Sequence, residues 1–323
     1  MNGAPSSVSV LDLEPAASDF LDQALAGLSS SPRTLPSKFF YDEKGSDLFQ
    51  EICELPEYYV TRTETEILRE HGAEIAESIG ENAELVGFGT GAGVKTRMLL
   101  GQLKNLIAYV PVDISKQRLT ESAESLSREM PDLEILPVCA DYLAPIELPT
   151  PSREAAHIAV YFPGSTIGNM QPEVARHFLK RVARLCGKSG GLIIGVDLQK
   201  SHEVLEAAYN DSAGVTAAFN LNMLVRANRE LGADFDLARW RHRAVYNRDD
   251  ARIEMHLISK DEQIVHLGGQ EFHFAPGEKI ITEFSYKHTV EGFSALAASA
   301  GFQLARVWTD PKKLFAVFHF TTL

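Results

Sequence analysis

Residues 87–97 read GFGTGAGVKTR, glycines at alternate positions that follow the apolar run ELVGF (84–88) and precede a helical pattern. A glycine loop between strand and helix lets backbone N–H groups approach a ligand closely, because no Cβ intervenes and a positive φ costs little. The loop therefore predicts a nucleotide-type ligand at the first strand–helix turn. Gly87, Gly89 and Ala92 satisfy the G-x-G-x-x-A form of the dinucleotide fingerprint, and Asp113 stands about 20 residues on, where an acid holds a ribose. By itself the loop does not choose between a nicotinamide dinucleotide and another adenosyl ligand.

Outward from the loop the pattern alternates. LIAYVPVDI (106–114), LEILPV (133–138), HIAVYF (157–162) and GLIIGVDL (191–198) are short apolar runs suited to buried strands, and helical stretches at 94–103, 116–129 and 172–186 lie between them. Strands alternating with helices predict an α/β fold with a parallel, doubly wound sheet. Upstream, 17–28 and 46–55 read as helices joined by the aromatic loop PSKFFYDEKG, and Thr61 with Glu64 fits a capping box opening the amphipathic run TRTETEILREHGAEIAESI. After Leu198 the rhythm changes to a helical region at 201–230 and strand-like pieces at 252–258, 263–267, 270–274 and 279–287. We expect residues 197–286 to be an insertion packed with the first 60 residues. A helix at 289–300 and two β-runs, FQLARVWTD and KLFAVFHFT, then return to complete the sheet.

Composition narrows the function. The 323 residues are 45% hydrophobic and 23% charged, with a formal net charge of −13, so the surface should repel phosphate backbones and anionic membranes. No nucleic-acid or membrane partner is expected, and a monomer is. The three cysteines are widely spaced and the ten histidines form no H-x-H or H-x-x-x-H cluster, which predicts reduced packing cysteines and no metal. With no basic n-region at the N-terminus and no apolar stretch approaching roughly 20 residues, the cytoplasm is the expected location. PGSTIG is not a G-x-S-x-G elbow, which removes a serine hydrolase.

Hydride and methyl transfer both use an acid after the second strand, so Asp113 is neutral between them. VCADY, at the next strand end, supplies Asp141 and Tyr142 where S-adenosylmethionine enzymes hold adenine with an acid and an apolar or aromatic neighbour. An aspartate capping the next turn is the plain alternative. The terminal pair of β-runs also fits a methyltransferase sheet, with its antiparallel last strand, better than a dehydrogenase sheet.

Taken together, KFFYDEKGSDLFQEICELPEYYVTRTE, GAGVKTRMLL, FPGSTIGN, AYNDSAGVTAAFNLNMLVRANRELGADFD, RIEMHL and TEFSYK closely resemble the EgtD family, the histidine Nα-methyltransferases of ergothioneine biosynthesis, from about residue 32 to the end. The resemblance implies a class I (Rossmann-like) methyltransferase sheet with a second α+β substrate-binding domain formed by the N-terminal region and the insertion. Residues 61–196 with 287–323 would bind S-adenosylmethionine, and 1–60 with 197–286 the substrate. The implied reaction converts L-histidine to its trimethylated betaine, hercynine, with three S-adenosylmethionines, releases S-adenosylhomocysteine and uses no metal. Carried over by motif position, the histidine site would comprise Tyr58, Gly164, Asn169, Tyr209, Met255, Glu283 and Ser285, with Tyr41 and Tyr58 catalytic. The cofactor site would comprise Gly89, Gly91, Lys95, Asp113, Asp141 and Tyr142. Gly87 departs from the pattern, since family members often carry an acid there.

The residue types suit those roles. Asn169 and Tyr209 can hold a carboxylate without adding charge, Glu283 and Ser285 can read an imidazole with its one donor and one acceptor, and tyrosine rings attract a quaternary ammonium. Each also has an ordinary explanation: Tyr41 and Tyr58 as packing tyrosines, Glu283 as an outward strand charge, Lys95 as a solvated lysine, Met255 as core. Two further readings are a methyltransferase for another amino acid such as tryptophan and an NAD(P)-dependent oxidoreductase. A third is a catalytically silent cofactor-binding protein.

Overall fold

Apolar alternation becomes a sheet buried on both faces. The computed structural model describes residues 9–13, 18–89 and 93–323. Along the chain run β1 (Leu11–Asp12), α1 (Ser18–Leu28), β2 (Arg33–Thr34), α2 (Glu43–Glu54), α3 (Tyr59–Ile79), β3 (Ala83–Phe88), α4 (Val94–Leu100), β4 (Ala108–Asp113), α5 (Lys116–Glu129), β5 (Glu134–Ile135), β6 (Val138–Cys139), β7 (His157–Phe162), α6 (Pro172–Cys186) and β8 (Gly191–Asp197). Then follow α7 (His202–Tyr209), α8 (Val215–Leu231), β9 (Trp240–Asn247), β10 (Arg252–Ser259), β11 (Gln263–Leu267), β12 (Gln270–Phe274), β13 (Lys279–Tyr286), α9 (Val290–Ala298), β14 (Phe302–Thr309) and β15 (Phe315–Thr322).

The main sheet has the order β1-β6-β4-β3-β7-β8-β15-β14, with β5 beside β4. Its strands are parallel up to β8, whereas β15 lies antiparallel between β8 and β14. This is the class I methyltransferase sheet, with its inserted antiparallel strand. Side chains alternate faces with the period of two that a strand imposes. Leu85, Tyr109, Tyr161, Ile193 and Val317 pack with Ile67 and Leu68 of α3, Leu99 of α4 and Leu126 of α5. Their neighbours Val86, Val110, Val160, Ile194 and Phe318 pack with Phe178 of α6 and Phe293 of α9 on the opposite face.

The second sheet, β2-β13-β10-β9, joins an N-terminal strand to three strands of the expected insertion, and α2 and α8 pack together beside it. It approaches the C-terminal ends of the parallel strands closely. A Cβ at Gly168, in the turn after β7, would lie 2.8 Å from the Tyr286 carbonyl of β13, and the His288 N–H donates to the Asp197 carbonyl at 3.1 Å. No helix among the described residues is long and apolar enough to cross a membrane.

Several local expectations are corrected. α3 starts at Tyr59, so Thr61 lies inside it, and Glu64 points into the protein at 1% exposure instead of closing a capping box. The stretch 201–230 is broken at Asn210–Gly214, where Gly214 takes φ +74° and the Asp211 carboxylate accepts from the N–H groups of Val215 and Thr216, both at 2.8 Å, capping α8. LEILPV divides around Pro137, which has no N–H to donate, into β5 and β6. α2 begins at Glu43, earlier than the expected 46, capped by Asp42 accepting from the Gly45 N–H at 2.8 Å, and α4 ends at Leu100. β9 was absent from the sequence reading because it is an edge strand whose Arg241 and Arg243 face outward, which hides the apolar signal.

Candidate active site

A cavity of about 420 Å³, open to solvent, lies where the two sheets meet. Tyr41 enters it from the turn before α2, Tyr58 from the start of α3, and Gly164 and Asn169 from the turn after β7. Tyr209 comes from the end of α7, and Glu283, Ser285 and Lys287 from β13 and the residue beyond it. An adjoining chamber of about 280 Å³ shares Phe49, Tyr58, Tyr209 and Glu283 and is also lined by Ile52, Thr216, Phe219 and Met255. The seven residues expected at a histidine site thus line one chamber or the other, with Met255 at the second.

Backbone strain marks the turn after β7. Gly164 takes φ +81°, and the next residue, Ser165, takes φ +57° although it carries a side chain. Ser165 is held there because its Oγ accepts from the Asp197 N–H at 2.9 Å. The Asn169 amide and the Glu283 carboxylate have no hydrogen-bond partner among the described residues, so both are left for a ligand.

Charge is concentrated at the first chamber, lined by Asp197 and Lys287. The Asp197 carboxylate, at the end of β8, accepts from Tyr59 OH at 2.8 and 2.9 Å, from Lys287 Nζ at 2.8 Å and from Lys200 Nζ at 2.5 Å. Burial acts to raise this carboxyl, but Lys287 and Lys200 outweigh it and hold it below the usual range. Burial lowers Lys200 to about 8 against the pull of Asp197. It also works against Lys287, where Asp197 and Tyr209 prevail and raise the ammonium above its ordinary value. Burial pushes Glu283 up to about 7, with Lys287 opposing. Tyr41 and Tyr58 rise well above 10, chiefly through burial, so both stay phenols at neutral pH.

The expected cofactor residues line the C-terminal edge of the parallel strands. Gly89, φ +58°, follows β3 and donates its N–H to the Val112 carbonyl at 2.9 Å; a Cβ there would lie 3.7 Å from the Tyr142 ring. Asp113 ends β4. Its Oδ1 accepts from the Ser115 N–H at 2.9 Å, and Oδ2 can accept from a diol. Asp141 follows β6 and pairs with Lys38 at 3.6 Å, while the Tyr142 ring sits among Phe88, Phe162 and Phe178. A positive-φ glycine, a ribose acid, and an acid beside an apolar ring fit an adenosyl ligand. Gly91 lies outside the described residues. Among those residues, no three His, Cys, Asp or Glu side chains gather as a metal site would require.

Lys95 is not the solvated lysine of its ordinary reading: its ammonium is paired with the buried Glu64. Both Glu64 oxygens also accept from the Gly164 N–H, at 3.1 and 2.9 Å, so one carboxylate joins Lys95 of α4 to the backbone of the turn after β7. Gly195 lies beneath it, where a Cβ would come within 2.1 Å of Glu64 Oε1. Sequence reasoning missed Glu64 by assigning it to a cap. It also left Asp197, Lys200 and Lys287 without a role, although Asp197 ends an apolar strand, the position where open α/β sheets bind ligands.

Comparison with known proteins places the chain in a family. A family model described as "Histidine-specific methyltransferase, SAM-dependent" matches residues 20–322. The chain is 41% identical over 312 residues to the histidine N-alpha-methyltransferase of Mycolicibacterium smegmatis, covering 95% of this chain and 96% of that one. It is 40% identical to the histidine N-alpha-methyltransferase of Mycobacterium tuberculosis, over 88% and 89% of the two chains. Ergothioneine biosynthesis protein 1 of Neurospora crassa is 30% identical over 86% of this chain and 32% of its own length.

Proposed function

Since the chain belongs to the histidine-specific, S-adenosylmethionine-dependent methyltransferases, we propose that it methylates the α-amino nitrogen of L-histidine three times, making hercynine for ergothioneine biosynthesis. The observation that carries this reading is the two-chambered cavity, in which an unpartnered Glu283 carboxylate and an unpartnered Asn169 amide face a space walled by tyrosines. We assign the cofactor to residues 61–196 with 287–323 and the substrate to 1–60 with 197–286. Gly89, Gly91, Lys95, Asp113, Asp141 and Tyr142 would hold S-adenosylmethionine, which supplies an electrophilic methyl group.

In this reading Asn169 and Tyr209 bind the substrate carboxylate and Gly164 lies beside it. Glu283, poised at about 7, shares a proton with an imidazole of similar affinity, and Met255 packs against the ring in the second chamber. Such pairing rejects apolar side chains, since they would leave the carboxyl bare. Tyr41 and Tyr58 orient the amine and pass its proton to water before each transfer; buried as phenols, they act by hydrogen bonding, not as phenolates. Their rings, with Phe49, then face an ammonium that has lost its N–H donors and is held by aromatic faces.

Mass spectrometry of L-histidine incubated with the protein and S-adenosylmethionine tests the proposal. Trimethylated product with scarce intermediates is expected, and intact histidine would overturn the substrate assignment. In the same assay Tyr41→Phe and Tyr58→Phe should lower kcat by roughly 100-fold or more. Unchanged kcat–pH profiles in both would remove them from proton transfer.

A further inference from the structure

Lys287 is a lysine with 2% exposure whose three N–H donors are all engaged: Asp197 Oδ2 at 2.8 Å, Ser285 Oγ at 2.8 Å and Tyr209 OH at 3.1 Å. Because it donates into both hydroxyl oxygens, each hydroxyl must direct its own hydrogen elsewhere. Tyr209 OH and Ser285 Oγ are 2.9 Å apart, so one donates to the other and one hydrogen is left over. Neither hydroxyl hydrogen-bonds to Asp197, whose oxygens accept from Tyr59, Lys200 and Lys287, and the Lys200 ammonium offers no acceptor, so that hydrogen is available to a ligand. With Asp197 negative and both lysines positive, the cluster also carries a net positive charge. The chamber lined by Lys287 therefore offers a donor backed by a cation, while the Met255 chamber is lined by no lysine or arginine, and Glu283 lines both.

We propose that Lys287 is a positioning residue which, through Tyr209 and Ser285, makes the chamber it lines the carboxylate end of the site and so fixes which way round a zwitterionic amino acid enters. This rests on the amino-acid reading above. A reversed substrate would place its carboxylate against Glu283 and leave the cationic cluster facing an imidazole. The ammonium itself need not touch the substrate. It polarises the hydroxyl that does, and a hydrogen bond to a charged group is about twice as strong as a neutral one.

The test compares L-histidine with histamine, which lacks only the carboxylate, by calorimetry in the presence of S-adenosylhomocysteine. In Lys287→Met, affinity for L-histidine should fall roughly 10–100-fold, the size of one charge-assisted hydrogen bond, while histamine changes by less than about 3-fold. Lys287→Gln, whose amide still donates to Asp197, repeats the comparison without leaving that carboxylate bare. Lys287→Arg should recover part of the L-histidine affinity. Equal losses for both ligands, or an unchanged L-histidine affinity, would overturn the inference alone. Wild-type protein that fails to bind L-histidine would instead overturn the functional reading beneath it.

Discussion

Glu283 combines a partly buried position, no hydrogen-bond partner among the described residues and a neighbouring lysine, and these set its pH behaviour. An ordinary glutamate in the unfolded chain titrates near 4.3, whereas this one titrates at about 7 in the fold. The native state thus favours its neutral form. Its contribution to stability is complete below about pH 4.3 and is lost as pH rises through about 7. Glu283→Gln, which stays neutral, should therefore be more stable than the wild type at pH 8 by about 1–3 kcal/mol, with the difference vanishing near pH 4. Urea denaturation of the ligand-free proteins at the two pH values measures this, and equal stability at pH 8 would show that the carboxylate is solvated. The same variant should bind L-histidine more weakly, since stability has been traded for recognition at that carboxyl. The residue types at this site were legible from their motifs, but the missing partner was not. It follows from the register that sets Met255 of β10 opposite Glu283 of β13, with a bulge immediately beyond.

At the scale of elements, α3 does more than cover the sheet. Its first turns place Tyr58 in the cavity, Tyr59 on Asp197, and Glu64 between Lys95 of α4 and the Gly164 N–H. Removing one partner of a buried ion pair leaves the other charge stranded, so Glu64→Gln should cost roughly 3–5 kcal/mol of stability, at the lower end because Lys95 is 17% exposed. It should also weaken binding of both S-adenosylhomocysteine and L-histidine, measurable by calorimetry. Loss of one affinity with the other intact would separate the two contacts. The helix itself was readable from its amphipathic period, but its start was not. Thr61 and Glu64 have capping-box spacing, yet the turn at Leu55–Tyr58 begins the helix earlier and rotates Glu64 inward.

Across the whole molecule, the two sheets are joined through β8 and the segment after β13, where His288 meets Asp197, and through α2, whose Asp47 pairs with Arg118 of α5 at 2.8 Å. Burial depresses His288 at this junction and His319 in β15, each to about 4. Depressed histidines stabilise the fold above the unfolded value near 6.5, and that stability is lost as pH falls through about 4. The thermal midpoint should therefore drop between pH 6.5 and 4, each histidine contributing up to about 3 kcal/mol and together outweighing Glu283, which acts in the opposite sense. His319→Leu should flatten the decline in differential scanning calorimetry. An identical pH profile would mean that this imidazole is already charged in the fold.

The local pattern by itself determined the alternation of buried strands and helices, the glycine turn after β3, the acids ending β4 and following β6, and the interruption after Leu198. Each of these is a run or a spacing within one stretch of chain, governed by the periods of strand and helix. Only the tertiary structure decided that Glu64 faces Lys95 and Gly164, and that Asp197, Lys200, Lys287 and Tyr59 form one buried charge cluster. It also decided that β2 joins a sheet whose other strands lie more than two hundred residues later. Those pairings cross between distant segments, and desolvation, the force that makes them matter, acts on a side chain only once other segments have closed over it.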